Sequence, residues 1–324
     1  MPMNVKLVQH RKREERMMRD VYATTLMKLA ERDSRVVVLD ADLMSSMGMV
    51  SFGEAFPHRT FNVGVQEANM VGVAAGLSAT GKIPFAHSFG PFATRKAYDA
   101  AFISGAYARL NVRIVGSDPG ITAAYNGGTH MPFEDMGIMR NIPDMTVLEP
   151  VDGAMLENLL PQLIDLQGMF YMRLLRRQPV QVYEYGSIFD IGRGIVLRDG
   201  TDATIVSSGI LVDESLKAAD SLQVEGVSCR VVNLFTIKPV DKELIAQCAA
   251  ETGAIVTCEN HNVLNGLGSA VAETLVETVP VPMERIGSQD QFGEVGSVDY
   301  LMRRYEMGAG DIAKRVMKVI ERKG

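Results

Sequence analysis

Short β-branched runs alternate with helical patterns along most of this chain. Val36-Val37-Val38-Leu39, Ile83-Pro84-Phe85-Ala86, Val112-Arg113-Ile114-Val115 and Met145-Thr146-Val147-Leu148 read as buried strands. Helical periodicity falls between them, over residues 16–31, 65–79, 94–108 and 152–165. That alternation predicts a parallel sheet with helices on both faces. After Tyr171-Met172-Arg173-Leu174 the period is lost from Arg176 to Gly194, which reads as a linker. The pattern restarts with Ala203-Thr204-Ile205-Val206, a helix from about 211, Cys229-Arg230-Val231-Val232, a helix from Asp241, and Ala254-Ile255-Val256-Thr257. Residues 311–322 read as a terminal amphipathic helix. The predicted fold class is α/β, with two doubly wound domains over residues 16–180 and 192–324.

Composition changes this picture little. At 324 residues there is room for two domains, each with its own core. Hydrophobic residues at 47% and charged residues at 22% fit a folded globular chain rather than a disordered one. The net charge of −6 argues against nucleic acid as the main partner. Cys229, Cys248 and Cys258 are odd in number and lack metal-ligand spacing, which predicts buried thiols in a reducing compartment. No apolar run approaches a membrane span and no signal peptide precedes the first helix, so a cytoplasmic protein without membrane contact is expected. The basic run His10-Arg11-Lys12-Arg13 meets Glu14 and Glu15 at once and reads as a solvated lead-in.

Three stretches carry candidate chemistry. In Asn62-Val63-Gly64-Val65-Gln66-Glu67-Ala68-Asn69-Met70, one carboxylate opens an apolar, small-residue helix. Among Val63, Val65, Ala68 and Met70 it loses water, which favours a proton-sharing form suited to a ring nitrogen. In Ser88-Phe89-Gly90-Pro91-Phe92, two aromatics three apart just past a strand offer a wall for a flat heterocycle. In Tyr125-Asn126-Gly127-Gly128-Thr129-His130-Met131-Pro132-Phe133-Glu134, the glycines permit a tight loop that aims His130 into a cleft. Asn265-Gly266-Leu267-Gly268-Ser269 superficially resembles a dinucleotide fingerprint. It lacks the third glycine and a ribose-reading acid, so close helix–strand packing is the better explanation. His261, at the end of the preceding strand, faces either the site mouth or an interface.

Taken together these stretches resemble the last two domains of transketolase-type thiamine-diphosphate enzymes, over residues 16 to 320. Gly64-Val65-Gln66-Glu67 is similar to the family's G-[IV]-x-E signature. The resemblance implies that Glu67 contacts N1′ of the cofactor's aminopyrimidine, with Val65 beside it. Phe89 and Phe92 would line the aminopyrimidine pocket, and Asp42 would approach the cofactor from across an interface. Asp40-Ala41-Asp42-Leu43 with Ser46 resembles the A-D-L segment and the serine that binds substrate phosphate. The loop around His130 is similar to G-x-D-G-x-T-H-x-P-x-E, and Arg140-Asn141-Ile142-Pro143 to the R-x-x-P that follows it. His130 would then contact substrate near the reacting carbonyl. Arg19 and Arg176 align with two phosphate-clamping arginines, whose forked guanidinium groups suit oxyanions. Two positions depart from the pattern. Asn126 stands where an aspartate reads substrate hydroxyls, and Asp118 where a second histidine lies near the substrate phosphate. A carboxylate there opposes a phosphate dianion, so the expected tail is uncharged, a sulfonate, or displaced toward the arginines.

The family clamps the cofactor's diphosphate and Mg²⁺ with G-D-G and a later Asn, and this sequence has no G-D-G. Asp199-Gly200-Thr201-Asp202 reads as a turn. The expectation is therefore the small subunit of a split transketolase, ligating no metal itself. An N-terminal subunit carrying G-D-G…Asn would supply the clamp, in a heterotetramer with two chains of each kind acting on sugars or sugar phosphates. Two enzyme alternatives stand beside it: a 2-oxo acid dehydrogenase E1 β-type subunit, which shares the architecture and the glutamate but whose corresponding loop usually reads Q-H-S-Q, and a deoxyxylulose-phosphate-synthase-like enzyme, which shares parts of the aromatic region but is normally one chain. A non-catalytic nucleotide module would be expected to lose Glu67 or the Phe89–Phe92 wall, and both are present.

Overall fold

The computed structural model describes residues 4–323; Gly324, the predicted end of the second domain, lies outside them. Six strands come first: β1 (Val36–Asp40), β2 (Thr60–Asn62), β3 (Ile83–Phe89), β4 (Arg113–Ser117), β5 (Thr146–Leu148) and β6 (Phe170–Leu174). Six follow: β7 (Ile195–Arg198), β8 (Ala203–Ser207), β9 (Cys229–Asn233), β10 (Thr236–Lys238), β11 (Ile255–Asn262) and β12 (Met283–Ser288). One sheet runs β10-β5-β6-β4-β3-β1-β2 and the other β12-β11-β8-β9-β7. All pairings are parallel except β10 with β5 and β7 with β9. Both sheets are of the doubly wound α/β class that the alternating pattern predicts. Helices cover both faces, which explains why β1, β4, β6, β8 and β9 are buried at every position.

Register is what positions the candidate chemistry. Phe89 lies opposite Ser117 across β3 and β4, and Ser117 opposite Leu174 across β4 and β6. The residues that follow these three strands therefore emerge side by side. Phe92, Asp118 and Arg176 all leave the sheet at this end.

Several elements differ from the sequence reading. The predicted helix over 94–108 winds as two wide, π-type segments, Phe92–Lys96 and Ala100–Tyr107. An apolar repeat does not separate such turns from ordinary ones, and they recur at functional sites. β2, β7 and β10 are too short to carry a period, and β12 interrupts its apolar residues with Glu284 and Arg285. β10 belongs to the second half of the sequence but pairs with β5 of the first sheet. The linker is also tied down. Asp152 caps the helix Gly153–Asp165 through Met155 N (2.9 Å) and accepts from Val182 N and Tyr183 N (2.8 Å each). The basic lead-in docks as well, since Arg11 pairs with Asp213 (2.8 Å) and Asp220 (2.9 Å). All three cysteines are buried and unpaired. No helix among the described residues is long and apolar enough to cross a membrane.

Candidate active site

The helix Glu67–Ala79 follows a left-handed glycine, Gly64, which turns the chain out of β2 and into its first turn. Glu67 is only 2% exposed, although its neighbours Gln66, Ala68 and Asn69 face solvent. The Ser88 hydroxyl donates to its Oε1 at 3.2 Å, and the Lys96 ammonium stands 3.4 Å from Oε2. Lys96 also lies over the Phe92 ring, 4.6 Å from its centroid. Sequence reading singled out the carboxylate but neither partner. The signal for Lys96 was its place one wide turn after Phe92, where both fall on one side of the helix.

Phe89, Phe92 and His130 form a closed edge-to-face trio. Their ring centroids are 6.2 Å (Phe89–Phe92), 5.4 Å (Phe89–His130) and 5.0 Å (Phe92–His130) apart. Gly127, at φ +74°, lets the loop double back so that its carbonyl accepts from His130 N at 3.0 Å. Thr129 Oγ1 and His130 Nδ1 share a hydrogen bond of 2.9 Å, which leaves Nε2 available. Arg95 braces the loop from outside, donating to Thr129 O at 3.2 Å and pairing with Glu134 at 3.2 Å. Burial, helped by the positive charge of Arg176, holds the His130 imidazole below its usual range.

A second cluster adjoins the trio. Arg19 and Arg176 both donate to the Ser46 carbonyl, at 3.0 and 3.4 Å. Arg176 stacks over Phe89 at 4.9 Å and pairs with Asp118 at 2.6 Å. Asp118 is 1% exposed, and both its oxygens lack an aligned hydrogen bond despite this contact. Burial pushes its carboxyl up to about 6, against the opposing pull of Arg176, Arg177 and Arg19. The structure thus brings Arg19, Ser46, Asp118 and Arg176 together and joins them through Phe89 to His130 and Glu67.

Asp42, Val65 and Asn126 are not brought into this group. Asp42 is exposed and bonds only to Asn62, Val65 is 66% exposed, and Asn126 faces solvent. The glycines at 266 and 268 have a packing role. Glu259 accepts from Leu267 N (2.7 Å) and Gly268 N (2.9 Å), so the protein's own carboxylate fills that helix end. A Cβ on Gly266 would sit 2.0 Å from it. His261 is fully buried, bonded to Asn262 O at 2.6 Å and pushed down to about 4 by burial; it does not face a mouth.

Residues 14–180 match the family described as "Transketolase, pyrimidine binding domain", and residues 192–312 match "Transketolase, C-terminal domain". A Clostridium sp. (strain MSTE9) protein named 6-deoxy-6-sulfo-D-fructose transketolase subunit SqwH is 50% identical, over 99% of this chain and 98% of its own length. A Methanocaldococcus jannaschii protein named putative transketolase C-terminal section is 40% identical, over 94% of this chain and 96% of its own. A solved structure titled "Split gene transketolase, inactive beta4 tetramer" superposes with a TM-score of 0.87 at 40% identity, covering 95% of this chain and 99% of that one.

The buried carboxyl of Asp118 gives a pH signature. Its folded value of about 6 lies above the ordinary 3.8, so the folded chain keeps a proton that the unfolded chain has released. Stability from this group is full below the ordinary value and is lost as pH rises through about 6. The denaturation midpoint of Asp118→Asn relative to wild type should therefore climb between pH 4 and pH 7 and then level. A flat difference would mean that the carboxyl is ionised throughout.

Proposed function

The chain belongs to the transketolase family, and from that premise we propose that it is the pyrimidine-side subunit of a split, thiamine-diphosphate-dependent transketolase. It moves a two-carbon ketol unit from a ketose to an aldose in the cytoplasm. Its domains are taken as 16–180 and 192–324. The observation that carries this reading is the buried Glu67 carboxylate beside the Phe89–Phe92–His130 trio, contiguous with a two-arginine anion cluster. This donor set suits a flat, protonatable heterocycle: an acid with one oxygen held by Ser88, and aromatic rings beside it. The chain has no G-D-G, so the diphosphate and Mg²⁺ fall to a partner with G-D-G…Asn, in a complex of two chains of each kind.

Bound thiamine diphosphate supplies the carbon nucleophile and electron sink for the transfer. Glu67 holds and returns a proton at N1′ of the aminopyrimidine, with Ser88 and Lys96 fixing its two oxygens. Phe89 and Phe92 keep water from the ring. His130, with Nδ1 fixed by Thr129, offers Nε2 to a substrate oxygen near the reacting carbonyl. Asp42 and Val65, exposed on this chain, meet the cofactor where the partner closes over them, and Asn126 meets substrate hydroxyls.

Arg19, Ser46 and Arg176 bind the donor's anionic tail. Arg176 is paired with the buried Asp118 carboxylate, and Arg19 stands 3.8 Å from Asp20, so much of the arginines' positive charge is already offset. That balance favours a sulfonate monoanion over a phosphate dianion, and the relative named for 6-deoxy-6-sulfo-D-fructose supports the same choice.

Three outcomes are expected. In calorimetric titration with Mg²⁺ and cofactor, this chain alone should show negligible binding, and binding should appear on adding the partner; tight binding by the isolated chain refutes the split-enzyme reading. In the assembled complex Glu67→Gln should slow hydrogen–deuterium exchange at thiazolium C2 by about 10²-fold or more, since the amide keeps the shape but cannot relay the proton. Exchange at the wild-type rate would assign Glu67 to structure. Finally, Asp118→His, at a left-handed position that histidine tolerates, should raise kcat/KM for xylulose 5-phosphate relative to a sulfonated ketose. The tail assignment fails if wild type already prefers the phosphate and the variant brings no gain.

A further inference from the structure

The second sheet reaches into the tail-binding end of the site through one side chain. Asn260, fully buried near the end of β11, accepts from Ile121 N with Oδ1 and donates through Nδ2 to Pro119 O, each at 2.8 Å. Its amide thus presents to the turn after β4 the same donor and acceptor pair that a neighbouring strand would. Those two bonds straddle Gly120.

The turn they close is one the chain does not favour unaided. Asp118 lies at φ +56° and Gly120 at φ +48°, two left-handed residues around a proline that has no N–H to donate. Aspartate enters that region less readily than glycine, so the surroundings must hold it there. The fit leaves no slack, since a Cβ on Gly120 would stand 2.1 Å from Asn260 Oδ1. Asn260 is itself fixed. Its carbonyl accepts from Arg173 Nη2 at 3.0 Å, and the same nitrogen donates to Pro132 O, in the His130 loop, at 3.3 Å.

We infer that Asn260 is a positioning residue for donor selection: its amide, from the C-terminal domain, helps hold the turn that sets Asp118 against Arg176 and so sets the net charge of the tail site. This rests on reading Arg19, Asp118 and Arg176 as that site. Without the amide, Ile121 N loses its partner and Pro119 O keeps only Thr122 N (3.1 Å) and Thr122 Oγ1 (2.6 Å), so the turn relaxes toward ordinary backbone. Asp118 then leaves Arg176, and the cluster gains a positive charge. The domain's part in specificity is exerted without touching substrate.

The test uses the reconstituted complex and three donors: a sulfonated ketose, the corresponding phosphorylated ketose, and one with an uncharged tail. Asn260→Ala should raise the phosphate-to-sulfonate ratio of kcat/KM about fivefold or more, the order expected for exposing one unpaired charge. Turnover of the uncharged donor and exchange at thiazolium C2 should stay near wild type. In the isolated chain, carboxyl NMR should show the Asp118 titration falling from about 6 toward its ordinary range. Gly120→Ala, which drives a methyl into the same contact with Asn260 intact, should reproduce the shift in donor preference and serves if Asn260→Ala is insoluble. An unchanged ratio, or an equal loss on all three donors, overturns the inference. A wild-type complex indifferent to tail charge would instead remove the tail-site reading on which it rests.

Discussion

Arg173 is a full positive charge with no access to water, and much of the molecule is arranged so that it is never left unpaired. Its guanidinium meets Asp135 at 2.9 and 3.1 Å and Glu149 at 2.6 Å, and reaches the carbonyls of Pro132 and Asn260. Asp135 is held in turn by Tyr171 (2.6 Å), and Glu149 by Ser208, just past β8 (2.5 Å). Removing one member of such a group strands the others, at a cost of about 3–5 kcal/mol. The members come from β6, from the His130 loop and the start of the helix Asp135–Arg140 that follows it, from the residue after β5, from the residue after β8, and from β11. The constraint on one charge is therefore what fixes the His130 loop and the second domain in one frame.

That frame explains how a small number of loops makes a site. The parallel register delivers Phe89, Ser117 and Leu174 to one line, and the next few residues of each strand become the aromatic wall, the acidic turn and the arginine. Side chains at strand ends are displayed on a rigid sheet, while their loops remain free to vary the chemistry. Glu67 arrives from a helix start beside the same line, and Ser88 on β3 meets it directly.

The sequence made the strongly periodic features legible. The runs at 36–39, 83–86, 112–115 and 203–206 stand as strands because a buried parallel strand needs apolar side chains on both faces. Glu67, Phe89, Phe92 and His130 were legible because local spacing and a family resemblance agreed on them. What escaped depended on distance along the chain. Asn260 lies 139 residues from Ile121, and nothing in either segment announces the pair. Lys96 escaped for another reason, since a surface-type cation near an aromatic reads as solvated until the fold turns it toward a buried acid. Asp42, Val65 and Asn126 were read from resemblance alone, and this chain leaves them facing solvent.

The three residues of β10 have a consequence for how the chain can be divided. They zip antiparallel onto β5, which without them would be the border of the first sheet. A cut in the linker would strip that cover and bare a row of unpaired peptide groups beside an apolar strand. Such a border is a template for recruiting other chains. The first half expressed alone thus inherits a sticky flank, while the intact polypeptide carries its own seal, and recombination between relatives would have to exchange the halves with this seam in mind.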